Sequence, residues 1–180
     1  MKQREVLTGL FLQPIQVMEE VARLYRKYVA LAVVIWLISE FAGSYAFQEP
    51  FRTVFRGLIA MLIFTFWIYK VPFWFGGKTR LKNFITLYGL ARLPFLLVSL
   101  LSVIFFIVYG ENWYMQKGIF MLSLVLFFIS LIWNAVLLVL GIRAVYRLDL
   151  KDSILSYVSA IILASFTIGI FYGIVLLLPW

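Results

Sequence analysis

Long apolar segments separated by short polar connections make up most of the chain. Five of these segments consist almost entirely of apolar residues, namely 28–47, 51–75, 83–109, 118–142 and 154–178. Each is long enough for a helix that crosses a hydrocarbon core about 30 Å thick. Because the connections are short, we expect neighbouring helices to run antiparallel in one bundle. The pattern predicts an all-α, polytopic membrane protein with five transmembrane helices, in which residues 1–180 form a single membrane domain.

A different pattern precedes the first apolar segment. In residues 10–27, apolar and polar side chains alternate with the period of a helix, and Pro14 suits the first turn of that helix. This pattern predicts an amphipathic helix lying in the membrane interface, although an extension of the first span would also explain it. The apolar positions are Phe11, Ile15, Met18, Ala22 and Tyr25, and the polar ones are Gln13, Gln16, Glu20, Arg23 and Lys27.

Glycine and proline mark two breaks in the apolar segments. Gly76 and Gly77 follow the second segment, where glycine ends a helix with little strain. Pro94 lies inside the third segment and removes one backbone hydrogen bond. We therefore expect a turn at the glycines, and a kink near Pro94 that frees a carbonyl group at membrane depth.

Composition supports the membrane assignment and narrows the chemistry. Hydrophobic residues make up 64% of the chain and charged residues 13%, whereas soluble domains average about 45–50% and about 25%. Cysteine and histidine are absent, which removes thiolate chemistry, the commonest metal ligand and the commonest general acid or base. No paired carboxylates or phosphate-binding loop stand out. The sequence therefore predicts a non-enzymatic protein without catalytic residues, metal sites or cofactors.

The positive charges are distributed unevenly among the connections. The net charge is +8, and eleven cations fall on one side of the predicted spans but only three on the other. By the positive-inside rule, the N-terminus is cytoplasmic and Trp180 lies outside. We expect this basic face to contact anionic phospholipid of the bilayer and other membrane proteins or a second copy, but not nucleic acid. Its candidate contacts are Arg23, Arg26, Lys27, Lys78, Arg80, Lys82, Arg143, Arg147 and Lys151, although topology alone would also explain these charges.

Glu40 is the clearest ionisable residue at membrane depth, where charges are costly. It lies about 10 Å inside the predicted outer boundary, at a level similar to that of Arg56 on the next helix. We expect an ion pair between Glu40 and Arg56, with Arg52 as the alternative partner. The pair is either a structural contact or part of a proton or substrate site. The lack of a second buried carboxylate favours the structural role.

Two further cations lie within the predicted spans. Arg92 comes two residues before Pro94, where it is a candidate contact for a lipid phosphate or another anion. Lys70 lies near the inner end of the second span and is a candidate for the same role. The alternative for both is that the long side chain reaches back to the headgroups.

Several short motifs together resemble the bacterial branch of the Yip family, the Ypt/Rab-interacting integral membrane proteins. They occur in the family's order along nearly the whole chain: Pro14 in the N-terminal segment, Gly76-Gly77-Lys78, Ala91-Arg92-Leu93-Pro94, Trp133, Leu140-Gly141-Ile142-Arg143 and Leu150-Lys151. The resemblance implies five spans and a cytoplasmic N-terminus. Eukaryotic members are trafficking adaptors that bind Rab-type GTPases, and some bacterial members accompany transporters as accessory subunits. The long N-terminal region and the Asp-Leu-Tyr-Gly-Pro element of eukaryotic members are missing, so Rab binding is not carried over.

Two functions remain open at this point. The first is a non-enzymatic adaptor or accessory subunit for other membrane proteins or for membrane organisation, in the bacterial cytoplasmic membrane. The second is a small transporter, channel or lipid-moving protein that uses a polar site near Glu40, Arg56 and Arg92. A continuous polar cavity that reaches Arg92 would favour transport.

Overall fold

The computed structural model describes residues 3–46, 51–110 and 112–177, and side chains within the ranges 5–39, 59–110 and 112–173 together with Ala42. Every regular element in these ranges is helical. In chain order the helices are α1 (Gln3–Leu12), α2 (Pro14–Arg23), α3 (Tyr25–Ala46), α4 (Phe51–Trp74), α5 (Leu81–Ala91), α6 (Leu93–Tyr109), α7 (Lys117–Tyr146) and α8 (Leu150–Leu177), with a short 3₁₀ turn at Trp113–Met115.

The helices coincide with the apolar segments of the sequence. Two of them, Lys117–Tyr146 and Leu150–Gly173, are long and apolar enough to cross a membrane. Helices α5 and α6 meet at a bend of 44°, and they make a third such span if the bent pair is counted as one. The described apolar part of α4, Ile59–Trp74, is shorter. The all-α class and the membrane character are thus confirmed.

Packing does not follow chain order. Helix α3 packs mainly against α5 and α6, α4 packs against α8, and α7 lies between α2, α5, α6 and α8. Two glycines permit the close crossings: Gly89 on α5 lies against the carbonyl group of Ala32 on α3, and Gly141 on α7 lies against Leu87 on α5. Among the described residues, the first two predicted spans are therefore not each other's main partners, although we expected chain neighbours to pair.

The N-terminal segment differs from the single helix predicted for residues 10–27. Helix α1 ends at Leu12, α2 runs from Pro14 to Arg23, and α3 begins at Tyr25. Pro14 does lie in the first turn of α2, as expected. Of the predicted apolar face Met18 is buried, but Phe11 and Ile15 are 40% and 50% exposed. The prediction of one continuous helix was wrong, because Pro14 provides no N–H group to continue α1 and a second break lies at Leu24.

The predicted break near Pro94 is present. Helix α5 ends at Ala91, and α6 begins at Leu93 with Pro94 in its first turn. The buried side chain of Asn134 on α7 donates a hydrogen bond from Nδ2 to the carbonyl oxygen of Ala91, at 2.6 Å. A neighbouring helix thus satisfies a backbone group at the break, which is the condition for irregular backbone inside a membrane.

The predicted turn after the second span is also present. Helix α4 ends at Trp74, and Gly76 has a φ of +83°, a conformation that favours glycine. The amide of Gly77 donates to the carbonyl oxygen of Pro72 at 3.0 Å. This turn directs the connection between α4 and α5 toward the end of α7.

Candidate functional site

A cleft of about 920 Å³ opens at the end of the bundle where α2, the α4–α5 connection and the end of α7 meet. We call it the basic cleft. Among the described residues, its lining contains four cations and one carboxylate, so its electrostatic character suits an anion. The lining residues are Glu19, Ala22, Arg23, Tyr25, Gly76, Lys78, Thr79, Arg80, Asn83, Ala144, Val145, Tyr146 and Arg147.

The four cations reach the basic cleft from three different elements. Arg23 ends α2, Lys78 and Arg80 lie in the α4–α5 connection, and Arg147 follows α7. The sequence predicted all four as part of the basic face, but only the tertiary structure brings them to one cavity. Arg23, Lys78, Arg80 and Arg147 are all exposed, so their guanidinium and ammonium groups remain accessible to a ligand.

The connection is held against α7 by contacts around Gly77. A Cβ atom on Gly77 would lie 2.8 Å from the carbonyl oxygen of Pro72 and 2.9 Å from Cβ of Tyr146, so a larger residue would push the connection away. The amide of Lys78 donates to the carbonyl oxygen of Tyr146 at 3.3 Å. In turn, the hydroxyl of Tyr146 donates to the carbonyl oxygen of Tyr69 on α4 at 2.7 Å. Tyr146 therefore supports one wall of the basic cleft.

Arg147 has a left-handed backbone conformation, with a φ of 59°. For a residue with a side chain this conformation costs roughly 1–2 kcal/mol. It ends α7 and starts the short turn to α8, where Oδ1 of Asp149 accepts a hydrogen bond from the amide of Asp152 at 2.6 Å. This cap fixes the beginning of α8 and, with it, the turn that carries Arg147.

Tyr25 lies beside the basic cleft, where neighbouring cations lower the pKa of its hydroxyl group. The Nε group of Arg26 donates to the Tyr25 hydroxyl at 3.3 Å. This hydrogen bond lowers the pKa of Tyr25 below its usual value, and the charge of Arg80 acts in the same direction. A second, smaller depression of about 740 Å³ continues the positive surface past Tyr25, and its lining includes Arg26, Arg80 and Lys82.

Three predicted cations of the basic face do not line either depression. Arg143 and Lys151 are exposed on α7 and α8. The ammonium group of Lys27 lies 5.5 Å from the centre of the Tyr28 ring. The nine predicted contacts therefore divide into residues that line the basic cleft or the second depression and residues that only add to the surface potential.

The two cations predicted within the spans lie away from the basic cleft. Arg92 is half-buried at the α5–α6 break, where Nη2 donates to the hydroxyl of Tyr88 at 2.9 Å. Its guanidinium also lies 5.2 Å from the ring centres of both Tyr88 and Phe95. Lys70 is exposed, with its ammonium 5.6 Å from the Tyr69 ring. Arg92 lines neither of the two depressions described above.

The predicted ion pair of Glu40 with Arg56 or Arg52 falls on side chains that lie outside the described residues. A described contact between the same two helices joins Trp36 on α3 to Met61 on α4. Its indole Nε1 donates to the sulfur of Met61 at 3.4 Å. The ion pair therefore stays a prediction.

Sequence reasoning missed the uncharged polar residues of the basic cleft. Thr79 and Asn83 add a hydroxyl and an amide to its lining, and Tyr146 supports its wall. Thr79 and Asn83 flank predicted basic residues in the chain, so their position near Lys78 and Arg80 was the available signal. Nothing in the sequence places them in one cavity with Arg147, because that arrangement depends on how α7 packs.

The long apolar helices, the bent span and the polar groups satisfied between helices define an all-α integral membrane protein. Residues 8–175 match the Yip1 domain, which covers nearly the whole chain, and the chain therefore belongs to the Yip family. The family resemblance seen in the sequence motifs is confirmed. Comparison with curated proteins and with solved structures finds no significant match.

Proposed function

We propose that the protein is a non-enzymatic, five-span membrane adaptor whose basic cleft binds anionic phospholipid headgroups on the cytoplasmic side. The observation that carries this proposal is the convergence of Arg23, Lys78, Arg80 and Arg147 on one cavity with a single carboxylate, Glu19. A phosphodiester presents several acceptor oxygens and a negative charge, which match the guanidinium donors of these arginines.

The proposed orientation follows from the same residues. All four cleft cations belong to the N-terminal segment or to the connections that carry the positive excess, and cytoplasmic segments are the ones enriched in lysine and arginine. Anionic lipids give the cytoplasmic leaflet a negative surface potential, to which each cation contributes about 1 kcal/mol of attraction. The basic cleft thus opens where its ligand is concentrated, with the N-terminus on that side.

The geometry of Arg92 supports an adaptor rather than a transporter. A transport site would require this cation to face a polar cavity that reaches one side of the membrane. Instead, the guanidinium of Arg92 is held between the rings of Tyr88 and Phe95 and bonds to the Tyr88 hydroxyl. These contacts favour a role in holding the α5–α6 break together.

Headgroup binding is tested with two double variants, each of which replaces one pair of cations by glutamine. The protein is placed in nanodiscs of phosphatidylcholine with a limiting amount of phosphatidylglycerol, and bound phosphatidylglycerol is counted by native mass spectrometry. Replacing Arg23 and Arg147 by glutamine is expected to weaken binding about 30-fold, since two cations contribute about 2 kcal/mol. Glu19→Gln is expected to strengthen binding, because it removes the repelling carboxylate.

The matched control removes the same charge outside the basic cleft. The variant with Arg143 and Lys151 replaced by glutamine keeps all four cleft cations and is expected to bind within about twofold of the parent protein, because neither side chain lines the basic cleft and exposed charges are partly screened. Equal weakening by both double variants would show that only the overall charge matters, and would contradict a defined headgroup site.

A further inference from the structure

Helices α1 and α2 form a helical hairpin, and its turn lies against the middle of α7. The indole Nε1 of Trp133 donates to the carbonyl oxygen of Leu10 at 3.2 Å. In a continuous helix this carbonyl would accept from the amide of residue 14, but Pro14 has no N–H group. Trp133 therefore satisfies the carbonyl that the proline leaves free, and it fixes the turn of the hairpin to one level of α7.

The far ends of the two arms also lie near each other. The carboxyl of Glu5 on α1 interacts electrostatically with Tyr28, and the hydroxyl of Tyr28 donates to Oε1 of Glu20 on α2 at 3.2 Å. Val6 and Val21 face the core with at most 1% of their surface exposed. Helix α1 therefore folds back beside α2 instead of extending it.

The second arm follows the inner half of α7. Helix α2 packs against α7, and its end lines the basic cleft together with Ala144 and Arg147. Trp133 lies ten residues before Arg143 in the chain, which is about 15 Å along a helix. With Arg143 taken as the cation at the headgroup boundary, and a hydrocarbon core about 30 Å thick, this distance places the turn of the hairpin near the middle of the bilayer.

The hairpin exposes apolar side chains around its turn. Leu12 is 81% exposed, and Phe11 and Ile15 are 40% and 50% exposed. At the neighbouring level of α7, Ile132 is 65% exposed. In an apolar helix that crosses the membrane, such a side chain faces lipid. The exposed turn of the hairpin thus lies at the same depth as a lipid-facing residue.

We propose that the α1–α2 hairpin is a re-entrant element, inserted into a single leaflet from the side of the basic cleft, with its apolar turn in contact with acyl chains. The helical hydrogen bonds satisfy most of the inserted backbone, and Trp133 satisfies the carbonyl at the turn. The exposed amides of Gln13 and Gln16 oppose insertion, whereas Phe11, Leu12 and Ile15 favour it. The hairpin also widens the protein in that leaflet alone.

The absence of cysteine from the chain allows the depth of the turn to be measured with single-cysteine variants. Leu12→Cys probes the turn, Ile132→Cys provides the membrane-centre reference, and Leu150→Cys the surface reference. Each is spin-labelled in nanodiscs, and its collisions with oxygen and with a water-soluble nickel chelate are compared. Leu12 is 81% exposed, so its replacement by cysteine removes little packing and is not expected to disturb folding.

The label at residue 12 is expected to match the label at residue 132, with frequent oxygen collisions and almost complete loss of nickel collisions. A label at headgroup depth would overturn the proposal in favour of a helix lying flat in the interface. A label as accessible to nickel as the one at residue 150 would overturn it in favour of a hairpin in water. Neither result depends on anion binding by the basic cleft, so the two proposals fail independently.

A second variant tests insertion through its energetics. Leu12→Lys places a charge at the turn and is expected to shift the equilibrium between inserted and displaced hairpin about 100-fold. A spin label at residue 15 would report this displacement as a large gain in nickel collisions. Leu150→Lys is the control, because Leu150 lies at the surface. This variant should leave the nickel collisions of the label at residue 15 unchanged. An unchanged label in the Leu12→Lys variant would overturn the proposal.

Discussion

At the scale of single residues, Tyr146 links parts of the chain that are distant in sequence. Its carbonyl oxygen accepts from the amide of Lys78, its hydroxyl donates to the carbonyl of Tyr69, and its ring lies edge-on to Phe73 at 5.4 Å. The side chain is almost fully buried. Its role is therefore to hold the α4–α5 connection and the end of α7 in the arrangement that forms the basic cleft.

Removing the Tyr146 hydroxyl is expected to destabilise the protein modestly. Tyr146→Phe deletes the hydrogen bond to the Tyr69 carbonyl and keeps the packed ring, so the free energy of unfolding should fall by about 1 kcal/mol. The measurement is unfolding in detergent, with Tyr114→Phe as the control because Tyr114 is 41% exposed. Equal effects of the two variants would mean that the bond to Tyr69 contributes nothing specific.

Residue properties that depend on local chemistry could be predicted from the sequence. Gly76 has the positive φ that a turn after a helix favours, and Pro94 lies at a break, because both effects arise from the residue's own backbone. The membership of Asn83 in the basic cleft could not be predicted. Its position in the cleft depends on the packing of the end of α7, more than sixty residues further along the chain.

At the scale of helices, the junction between α5 and α6 depends on a residue of a third helix. The bend of 44° leaves the carbonyl of Ala91 without a regular helical partner, and Nδ2 of Asn134 donates to it at 2.6 Å. Asn134 was the one amide within the predicted fourth span, so its polar nature was visible in the sequence. The hydrogen-bond partner of Asn134 was not visible in the sequence, because the register of α7 against α5 decides which carbonyl group its amide reaches.

Asn134→Leu is expected to lower the free energy of unfolding by about 1–3 kcal/mol, because it leaves a buried carbonyl without a donor. The leucine has a similar size, so loss of volume is a minor contribution. Ser130→Ala, one turn earlier on α7, is the control. The hydroxyl of Ser130 donates only to the carbonyl of Phe127 in its own helix, so its removal should have little effect. Thermal unfolding in the same detergent compares the two, and a harmless Asn134→Leu would argue against this role.

The N-terminal hairpin shows a limit of periodicity at the same scale. Residues 10–27 have helical spacing of apolar side chains, yet Gln13 and Leu24 interrupt the helix. The amphipathic pattern describes which residues avoid water, but a buried protein surface and an acyl-chain environment produce the same pattern. Only the hydrogen bond from Trp133 to Leu10 shows where the turn lies.

At the scale of the whole molecule, the proposed five-span topology makes a direct prediction for labelling. Met115→Cys is expected to react with a membrane-impermeant maleimide only from outside the cell, and Leu81→Cys only after the inner side is opened. Both parent residues are exposed, at 67% and 53%, so the reagent reaches each position on its own side. Reaction of both positions from the same side would contradict an α5–α6 pair that crosses the bilayer once.

The sequence by itself determined the class of the protein, the positions of the long helices and the asymmetry of its charges. These follow from the transfer of apolar side chains out of water and from backbone hydrogen bonding, both of which act within a segment. The tertiary structure alone decided that α3 packs against α5 and α6, that four cations share one cleft, and that the N-terminal segment folds back along α7. Those arrangements depend on the fit between helix surfaces, such as Gly89 against Ala32, which no single segment contains.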